Sequence, residues 1–438
     1  MSGRLAPGAE GLDAADGAWP PILISDVELS QPLPLLPAEP PPTGSYGSAR
    51  LLIRLHGQPL GIVSTPLPPA GMPPADLARE VWRQLGPAIR SHLRADDIQS
   101  PDVLSPEGLG PDNDPPCLPG KPGHPVSPVS VIVATHDRPE LLTRCLIALE
   151  NQSHPDYEVL VVDNAPSSDA TFALFRGSHW SDDRFSYVLE VSPGVSRAKN
   201  LGASMAKYDL LAFTDDDAIP DRGWLTALTS AFASPSVSCV TGLTLPSNLD
   251  TRAEQIFEDH VGFPSTFARR LFDLGENRPP EPLFPYTTGQ LGAGVNMALR
   301  ADVFRELGGF DCALGTGTKS RGGEDLALLL DLLQSGHQLA YEPAAVVRHR
   351  HRSDMTALRN QVFGYGVGLG AYLARSVAVR PSRLFGMGLH AGRGLSHHAS
   401  RRQSRNGTPS QFPAHLKRLE RLGLLYGPMA YLKARRSL

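Results

Sequence analysis

Three consecutive carboxylates, Asp215-Asp216-Asp217, directly follow the apolar run Leu210-Leu211-Ala212-Phe213 and Thr214. So short an apolar run reads as a buried strand rather than a helix, which puts the acids at a strand end. Carboxylates packed this closely shift one another's protonation unless a cation sits among them. Hard divalent ions take oxygen ligands and are often held by one or two carboxylates together with substrate phosphates. The run is therefore either a strand-end metal site that receives a diphosphate or a solvated loop that caps the next element. A phosphate-loop NTPase is excluded. Its G-x-x-x-x-G-K-[ST] loop is missing, and Gly315-Thr316-Gly317-Thr318-Lys319-Ser320 has Thr where the last Gly must be.

A second acid pair closes Gly322-Gly323-Glu324-Asp325 and opens the helical stretch Leu326–Leu333. The glycines let backbone come close to a ligand, and a carboxylate at that place can take the proton of an attacking hydroxyl. The simpler reading is two acids that stabilise a helix N-terminus. Near the chain's last third, His349-Arg350-His351-Arg352 lacks cysteine partners at zinc-ligand spacing.

The elements that must position these groups alternate between strand and helix. Val129–Thr135 is a β-branched run suited to a strand buried on both faces, and it ends in His136-Asp137-Arg138-Pro139. Glu158–Val162 ends in Asp163-Asn164, a third strand surrounds Phe185–Val191, and Gly194–Gly202 opens a helix ahead of the acid-ended strand. Such alternation implies a largely parallel sheet, whose ligands bind beyond the carboxyl ends of the strands.

Composition frames this core. The chain of 438 residues is 41% hydrophobic and 20% charged, as in a globular protein of one large domain or two. Residues 1–46, rich in Pro, Ala and Gly, are expected to be disordered. Residues 47–100 form a small accessory α+β module, with a hairpin over 49–63 and a helix carrying Leu77, Val81, Trp82, Leu85, Ile89 and Leu93 that Pro87 should kink. No chemistry is visible in it. Residues 101–127 read as a proline-rich linker, 128–355 as the catalytic domain and 356–438 as a basic helical extension. The four cysteines are far apart with no C-x-x-C pair, so neither a disulfide framework nor a zinc cluster is expected. No secretory pattern and no apolar window of about 18 residues is found, which suggests a cytoplasmic protein.

Charge is unevenly spread. From Arg348 onward there are 17 Lys and Arg against Asp354 and Glu420, a net +15, while the remainder carries 24 basic and 43 acidic residues, a net −19. The tail either faces something anionic or neutralises the acidic body. Leu416–Leu425, with Leu416, Leu419, Leu422 and Leu425 beside Lys417, Arg418 and Arg421, suits a membrane surface or an acidic domain equally.

In sequence order, Val129–Arg138, Val161–Asn164, Gly194–Gly202, Phe213–Pro220, Gly289–Met297, Gly308–Asp311, Gly322–Asp325 and Tyr341–His349 resemble the family 2 glycosyltransferases. The resemblance implies a GT-A type, Rossmann-like α/β fold: a mixed, mostly parallel sheet flanked by helices. It further implies a nucleoside-diphosphate sugar donor, a divalent metal (Mg²⁺ or Mn²⁺) and inversion at the anomeric carbon. By position it puts Thr135 and Arg138 beside the nucleotide and Asp163 on the base or ribose, with Arg197 and Asn200 nearby. Asp215, Asp217 and His349 would hold the metal, and Asp216 would reach the sugar or stand behind these ligands. Asp325 would be the general base and Glu324 would orient acceptor or sugar. Gly289–Met297, including Gly294 and Asn296, would form the floor under the donor sugar, unless its glycines serve only a tight strand connection.

The processive synthases' Gln-x-x-Arg-Trp motif is absent, which favours transfer of a single sugar, and Asp331 stands where many relatives have Arg. The acceptor is expected to be a hydroxyl of a glycan, a lipid-linked sugar or a small molecule. The basic tail could bring the enzyme to the inner face of a membrane, and no nucleic acid is expected. Two alternatives remain: a sugar-phosphate nucleotidyltransferase, which lacks here its glycine-rich basic loop after the first strand, and a non-catalytic carbohydrate- or nucleic-acid-binding protein.

Overall fold

The computed structural model describes residues 19–38, 45–110, 115, 117, 127–176, 180, 184–263, 265–383 and 412–438. Strands β1 (Ile22–Glu28), β2 (Ser48–Leu55) and β3 (Gln58–Pro66) form a three-stranded sheet, β1 parallel and β3 antiparallel to β2. Helix α1 (Pro74–Ala95) lays Leu77, Val81, Ile89 and Leu93 on it. The helix runs through Pro87 unbroken, because that ring lies on the exposed side, where water reaches the carbonyl left without a donor.

Two expectations need correction. Residues 22–28 are a strand, not part of a disordered N-terminus, because Val27 and Leu29 have a core to enter; residues 1–18 and 39–44 lie outside the described residues. Residues 101–110 are not a free linker either. Leu104 is buried in the same core, the Leu33 N–H donates to the Pro106 carbonyl at 2.8 Å, and the Leu109 N–H donates to the Leu29 carbonyl at 2.7 Å.

The larger part runs β4 (Val129–Thr135), α2 (Pro139–Glu150), β5 (Tyr157–Asn164), α3 (Ala170–Phe175), β6 (Phe185–Glu190), α4 (Val195–Met205), β7 (Leu210–Asp215), β8 (Ala218–Pro220) and α5 (Trp224–Ser230). It continues with β9 (Val237–Pro246), α6 (Arg252–His260), β10 (Arg270–Phe272), β11 (Met297–Arg300), α7 (Ala301–Glu306), α8 (Glu324–Gln334) and β12 (Gln338–His349). The strand order is β10-β12-β9-β11-β7-β4-β5-β6, with β8 paired to β12. β6, β5, β4 and β7 are parallel, and β9 and β12 are parallel to each other. β11 lies antiparallel between β7 and β9. β4 is buried along its whole length, as its β-branched run requires. Leu142, Cys145, Leu146 and Leu149 of α2 cover one face of the sheet, and Ala198, Phe304, Leu329 and Leu333 cover the other.

This topology makes the site. Chain order reverses between β4 and β7, and the crevice outside such a switch point is where open α/β sheets receive ligands. Register puts Thr135 beside Asp163, and Ala134 beside Asp215, so the polar strand ends form one rim.

Beyond β12, α9 (Met355–Val379) is continuous and packs against α10 (Ala414–Arg435). The glycines that interrupt its apolar pattern are what allows this. A Cβ on Gly366 or Gly370 would stand 2.1 or 2.3 Å from the Glu420 or Leu424 carbonyl oxygen of α10. Residues 384–411 lie outside the described residues. By length and composition α9 could cross a bilayer, contrary to the expectation that no window qualifies; half of that window is buried inside the protein.

Candidate active site

The acid run sits where β7 turns into β8, and each carboxylate has its own partners. Asp215 accepts from the Lys199 ammonium at 3.0 Å. Asp216 is buried and accepts from the Thr135 hydroxyl at 2.8 Å and from Arg138 Nη1 at 3.2 Å. Asp217 receives Arg138 Nη1 at 3.3 Å on Oδ2 and His349 Nε2 at 3.2 Å on Oδ1, with Arg352 Nη2 at 3.7 Å. His349 arrives because β12 pairs antiparallel with β8, matching His349 to Ala218.

Burial separates the charges of these neighbours. Desolvation, aided by the Asp217 charge, pushes the Asp216 carboxyl up to about 6. At Asp217 the same burial is overcome by His349, Arg352 and Arg138, which hold the carboxyl well below the usual carboxylate range. Burial works to lower His349, yet its pairing with Asp217 raises it above the ordinary imidazole value. Asp215, Asp217 and His349 offer donor atoms that all lie within 4.8 Å of one another.

The second acid pair opens α8. Asp325 Oδ2 accepts from the Gly294 N–H at 3.0 Å, and its Oδ1 accepts from the Leu326 N–H at 2.8 Å. The carboxylate is thus aimed by the Gly289–Met297 loop, and a Cβ on Gly294 would come within 3.0 Å of the Asp325 Cβ. Glu324 Oε2 is buried and has no hydrogen-bond partner among the described residues. Burial first, and the Asp325 charge second, push the Glu324 carboxyl up to about 7, against the pull of Lys199. Lys199 joins the two acid groups. Burial works to lower it, but the charges of Asp215, Glu324 and Asp325 together raise it.

Several sequence-predicted residues do other work. The Asn296 side chain is wholly engaged: Nδ2 donates to the Leu243 and Ala345 carbonyls at 3.0 and 2.8 Å, and Oδ1 accepts from the Trp224 indole at 2.8 Å. It pegs the loop to the sheet and has no group left for a sugar. Asn200 is likewise closed on Phe310, accepting from its N–H at 2.9 Å and donating to its carbonyl at 2.8 Å. The Thr135 hydroxyl positions Asp216. Asp163 is buried at the end of β5 and accepts from the Tyr187 hydroxyl at 3.0 Å, while burial raises its carboxyl. Arg197 stands half-buried on the first turn of α4. Gly322 and Gly323 approach backbone rather than open space: a Cβ on Gly323, at φ +89°, would meet the Gly368 carbonyl of α9 at 2.6 Å. Asp331 pairs with Arg375 and, at 2.8 Å, Arg383.

Lys199, Arg352 and Tyr187 escaped the sequence reading. Lys199 could have been found, since it sits three residues from Ser196 and three from Gly202 on the small-residue face of α4 that turns to the sheet.

The family model described as "Glycosyltransferase like family 2" matches residues 125–364. The pre-mycofactocin glycosyltransferase of Mycobacterium tuberculosis is 28% identical over 244 residues, 55% of this chain and 46% of that protein. The validoxylamine A glucosyltransferase of Streptomyces hygroscopicus subsp. limoneus is 30% identical over 232 residues, 48% of this chain and 49% of that protein. The chain thus spans about half the length of these curated relatives. Among solved structures, the mannosyltransferase PcManGT from Pyrobaculum calidifontis in complex with GDP-Man and Mn²⁺ aligns at 18% identity and a TM-score of 0.43, over 82% of this chain and 95% of that one.

Proposed function

The chain belongs to the glycosyltransferase-like family 2, and from that membership we propose that it moves one sugar from a nucleoside diphosphate to an acceptor hydroxyl with inversion. The observation that carries the reading is the pair of acid groups that share Lys199: the run at the end of β7, with His349, and the pair that opens α8.

Asp215, Asp217 and His349 suit a divalent cation, since two carboxylate oxygens and one imidazole nitrogen form a donor set acceptable to Mn²⁺ or Mg²⁺. Bound there, the cation would neutralise charge that builds on the departing diphosphate. Arg138, hydrogen-bonded to both Asp216 and Asp217, adds positive charge at the same rim. Asp163, near the end of β5, and Tyr187, which reaches it from the neighbouring strand β6, receive the base or ribose, with Arg197 nearby. Asp325, held by two backbone donors, takes the acceptor's hydroxyl proton. The acceptor oxygen bonds to the anomeric carbon as that carbon's bond to the diphosphate oxygen breaks. Glu324, with its buried orphan oxygen, accepts from a hydroxyl of sugar or acceptor and orients it.

A panel of nucleotide sugars tests the reading, each incubated with Mn²⁺ or Mg²⁺ and scored for slow hydrolysis and for a raised melting temperature. At least one donor should be hydrolysed only with metal. Metal-independent binding without hydrolysis across the panel would favour a non-catalytic binder, and release of pyrophosphate from a nucleoside triphosphate would favour a nucleotidyltransferase.

The acceptor is proposed to lie near a membrane. On α10, Leu425 is 78% exposed and Leu422, Met429 and Leu432 also face outward, between Lys417, Arg418 and Arg421 at one end and Lys433 and Arg435 at the other. The apolar face foreseen over Leu416–Leu425 is split, since Leu416 is fully buried against α6 and α9. The wild-type protein should sediment with vesicles rich in phosphatidylglycerol and not with neutral ones, and Leu425→Glu should abolish this. Equal sedimentation of both proteins would contradict the proposal.

A further inference from the structure

The N-terminal module, in which the sequence shows no chemistry, gathers four metal-ligating side chains at one point. His56 lies in the turn between β2 and β3, His92 and Asp96 lie four residues apart at the end of α1, and Cys117 follows the segment that folds back on the module. Their donor atoms form a closed figure. His56 Nδ1 is 2.9 Å from Asp96 Oδ2 and 3.2 Å from His92 Nε2. Cys117 Sγ is 2.8 Å from Asp96 Oδ2 and 3.4 Å from each of the two histidine nitrogens, and His92 Nε2 is 3.3 Å from Asp96 Oδ2.

Six contacts of nearly equal length among four atoms describe a tetrahedron. Hydrogen bonds cannot account for it. Each histidine nitrogen and the thiol can carry at most one hydrogen, and an ionised carboxylate oxygen carries none, so at most three of the six edges can hold a bridging proton. The other edges would set lone pair against lone pair. One cation at the centre satisfies all six at once. The centre of a regular tetrahedron with edges of this size lies about 1.9 Å from its corners, close to the bond lengths of about 2.0–2.3 Å that zinc makes to nitrogen, oxygen and sulfur.

We propose that His56, His92, Asp96 and Cys117 bind one structural Zn²⁺. Four protein ligands with mixed nitrogen, sulfur and oxygen donors in tetrahedral array suit zinc, and a set closed by four side chains leaves no position for a substrate. The ligands are held in advance. The Glu28 carboxylate accepts from the backbone N–H groups of His56 and Gly57 at 3.0 and 2.9 Å, fixing a turn in which His56 takes a left-handed φ of 54°. The Gln58 amide donates to the Cys117 carbonyl at 3.3 Å.

The ion would clasp three separate stretches of chain: hairpin, helix and the segment that leads toward β4. That matters beyond the module. Arg50 of β2 pairs with Glu258 at 3.3 Å, and Glu258 pairs at 3.1 Å with His351, two residues after His349. The module is therefore braced against the strand end that carries a candidate catalytic side chain.

The test uses the full-length protein, expressed with zinc and exchanged into magnesium buffer. Metal analysis should find one zinc per chain in the wild type and in Asp217→Asn, and loss to below about a tenth of that in Cys117→Ser and His92→Ala after the exchange, since removing one of four ligands weakens the hold on the ion. Wild-type protein reloaded with Co²⁺ should show the intense visible bands of a four-coordinate ion and a thiolate-to-cobalt charge-transfer band, and this measurement stands even if a variant fails to fold. A zinc content unchanged in Cys117→Ser, loss of zinc in Asp217→Asn instead, or a weak six-coordinate cobalt spectrum would overturn the assignment. None of these readouts depends on sugar transfer, so the zinc site and the proposed activity stand or fall separately.

Discussion

Asp325→Asn is expected to cut sugar transfer by about 10²–10⁴-fold, the usual worth of a positioned general base, while nucleotide-sugar binding stays as in the wild type. The substitution keeps shape but removes the basic oxygen. Both carboxylate oxygens of Asp325 accept backbone N–H groups, from Gly294 and Leu326. An amide can accept only one of them, so a loss of about 1–3 kcal/mol in stability should accompany the loss of activity, and thermal unfolding separates the two effects. Glu324→Gln is the control. Its oxygen orients rather than takes the proton, so transfer should fall less. Single-turnover transfer alongside calorimetric donor binding measures both variants, and full transfer by Asp325→Asn would show that the base lies elsewhere.

The second large effect concerns Asp217. It is the one acid of the run that meets three cations, Arg138, His349 and Arg352. Asp217→Ala leaves a buried imidazole and two guanidinium groups without their shared partner, and breaking such a buried pair costs about 3–5 kcal/mol. Asp217→Asn keeps the volume and is the better probe of function. We expect it to weaken Mn²⁺-dependent binding of a nucleoside diphosphate by about 100-fold or more, because the site loses one of two carboxylate ligands. Asp216→Asn should do less to metal affinity, since Asp216 is tied to Thr135 and Arg138 and is not among the clustered donors.

Much of this was legible before any coordinates. Strand ends are marked by a change from β-branched residues to acids and small polar groups, and in a parallel sheet all such ends fall on one edge, so Thr135, Asp163 and Asp215 could be grouped from order alone. What the sequence hid is how polar side chains divide their bonds. Asn200 and Asn296 look like ligand residues, but amides shielded from water must find their partners within the protein, and the backbone of Phe310, Leu243 and Ala345 claimed those of half-buried Asn200 and buried Asn296. The glycines of Gly322-Gly323 read as ligand clearance, yet they, like the glycines of α9, answer to close packing of backbone on backbone.

The module's four ligands were hidden for a different reason. They come from the turn between β2 and β3, the end of α1 and Cys117, with three residue types that zinc patterns seldom combine at those spacings, so only folding brings them together. The N-terminal strand was missed because proline-rich composition outweighed a seven-residue run, Ile22–Glu28, whose partner strand begins twenty residues later.

The central claim is that Asp215, Asp217 and His349 hold a divalent cation that gathers a nucleoside diphosphate at the rim of the sheet. Electron paramagnetic resonance of Mn²⁺ titrated into the protein tests it most directly, with and without UDP, GDP, ADP, CDP or dTDP. The account predicts that one of these diphosphates tightens Mn²⁺ binding in the wild type and has no such effect in Asp217→Asn. A diphosphate that binds equally well with and without Mn²⁺, and equally to both proteins, would contradict it.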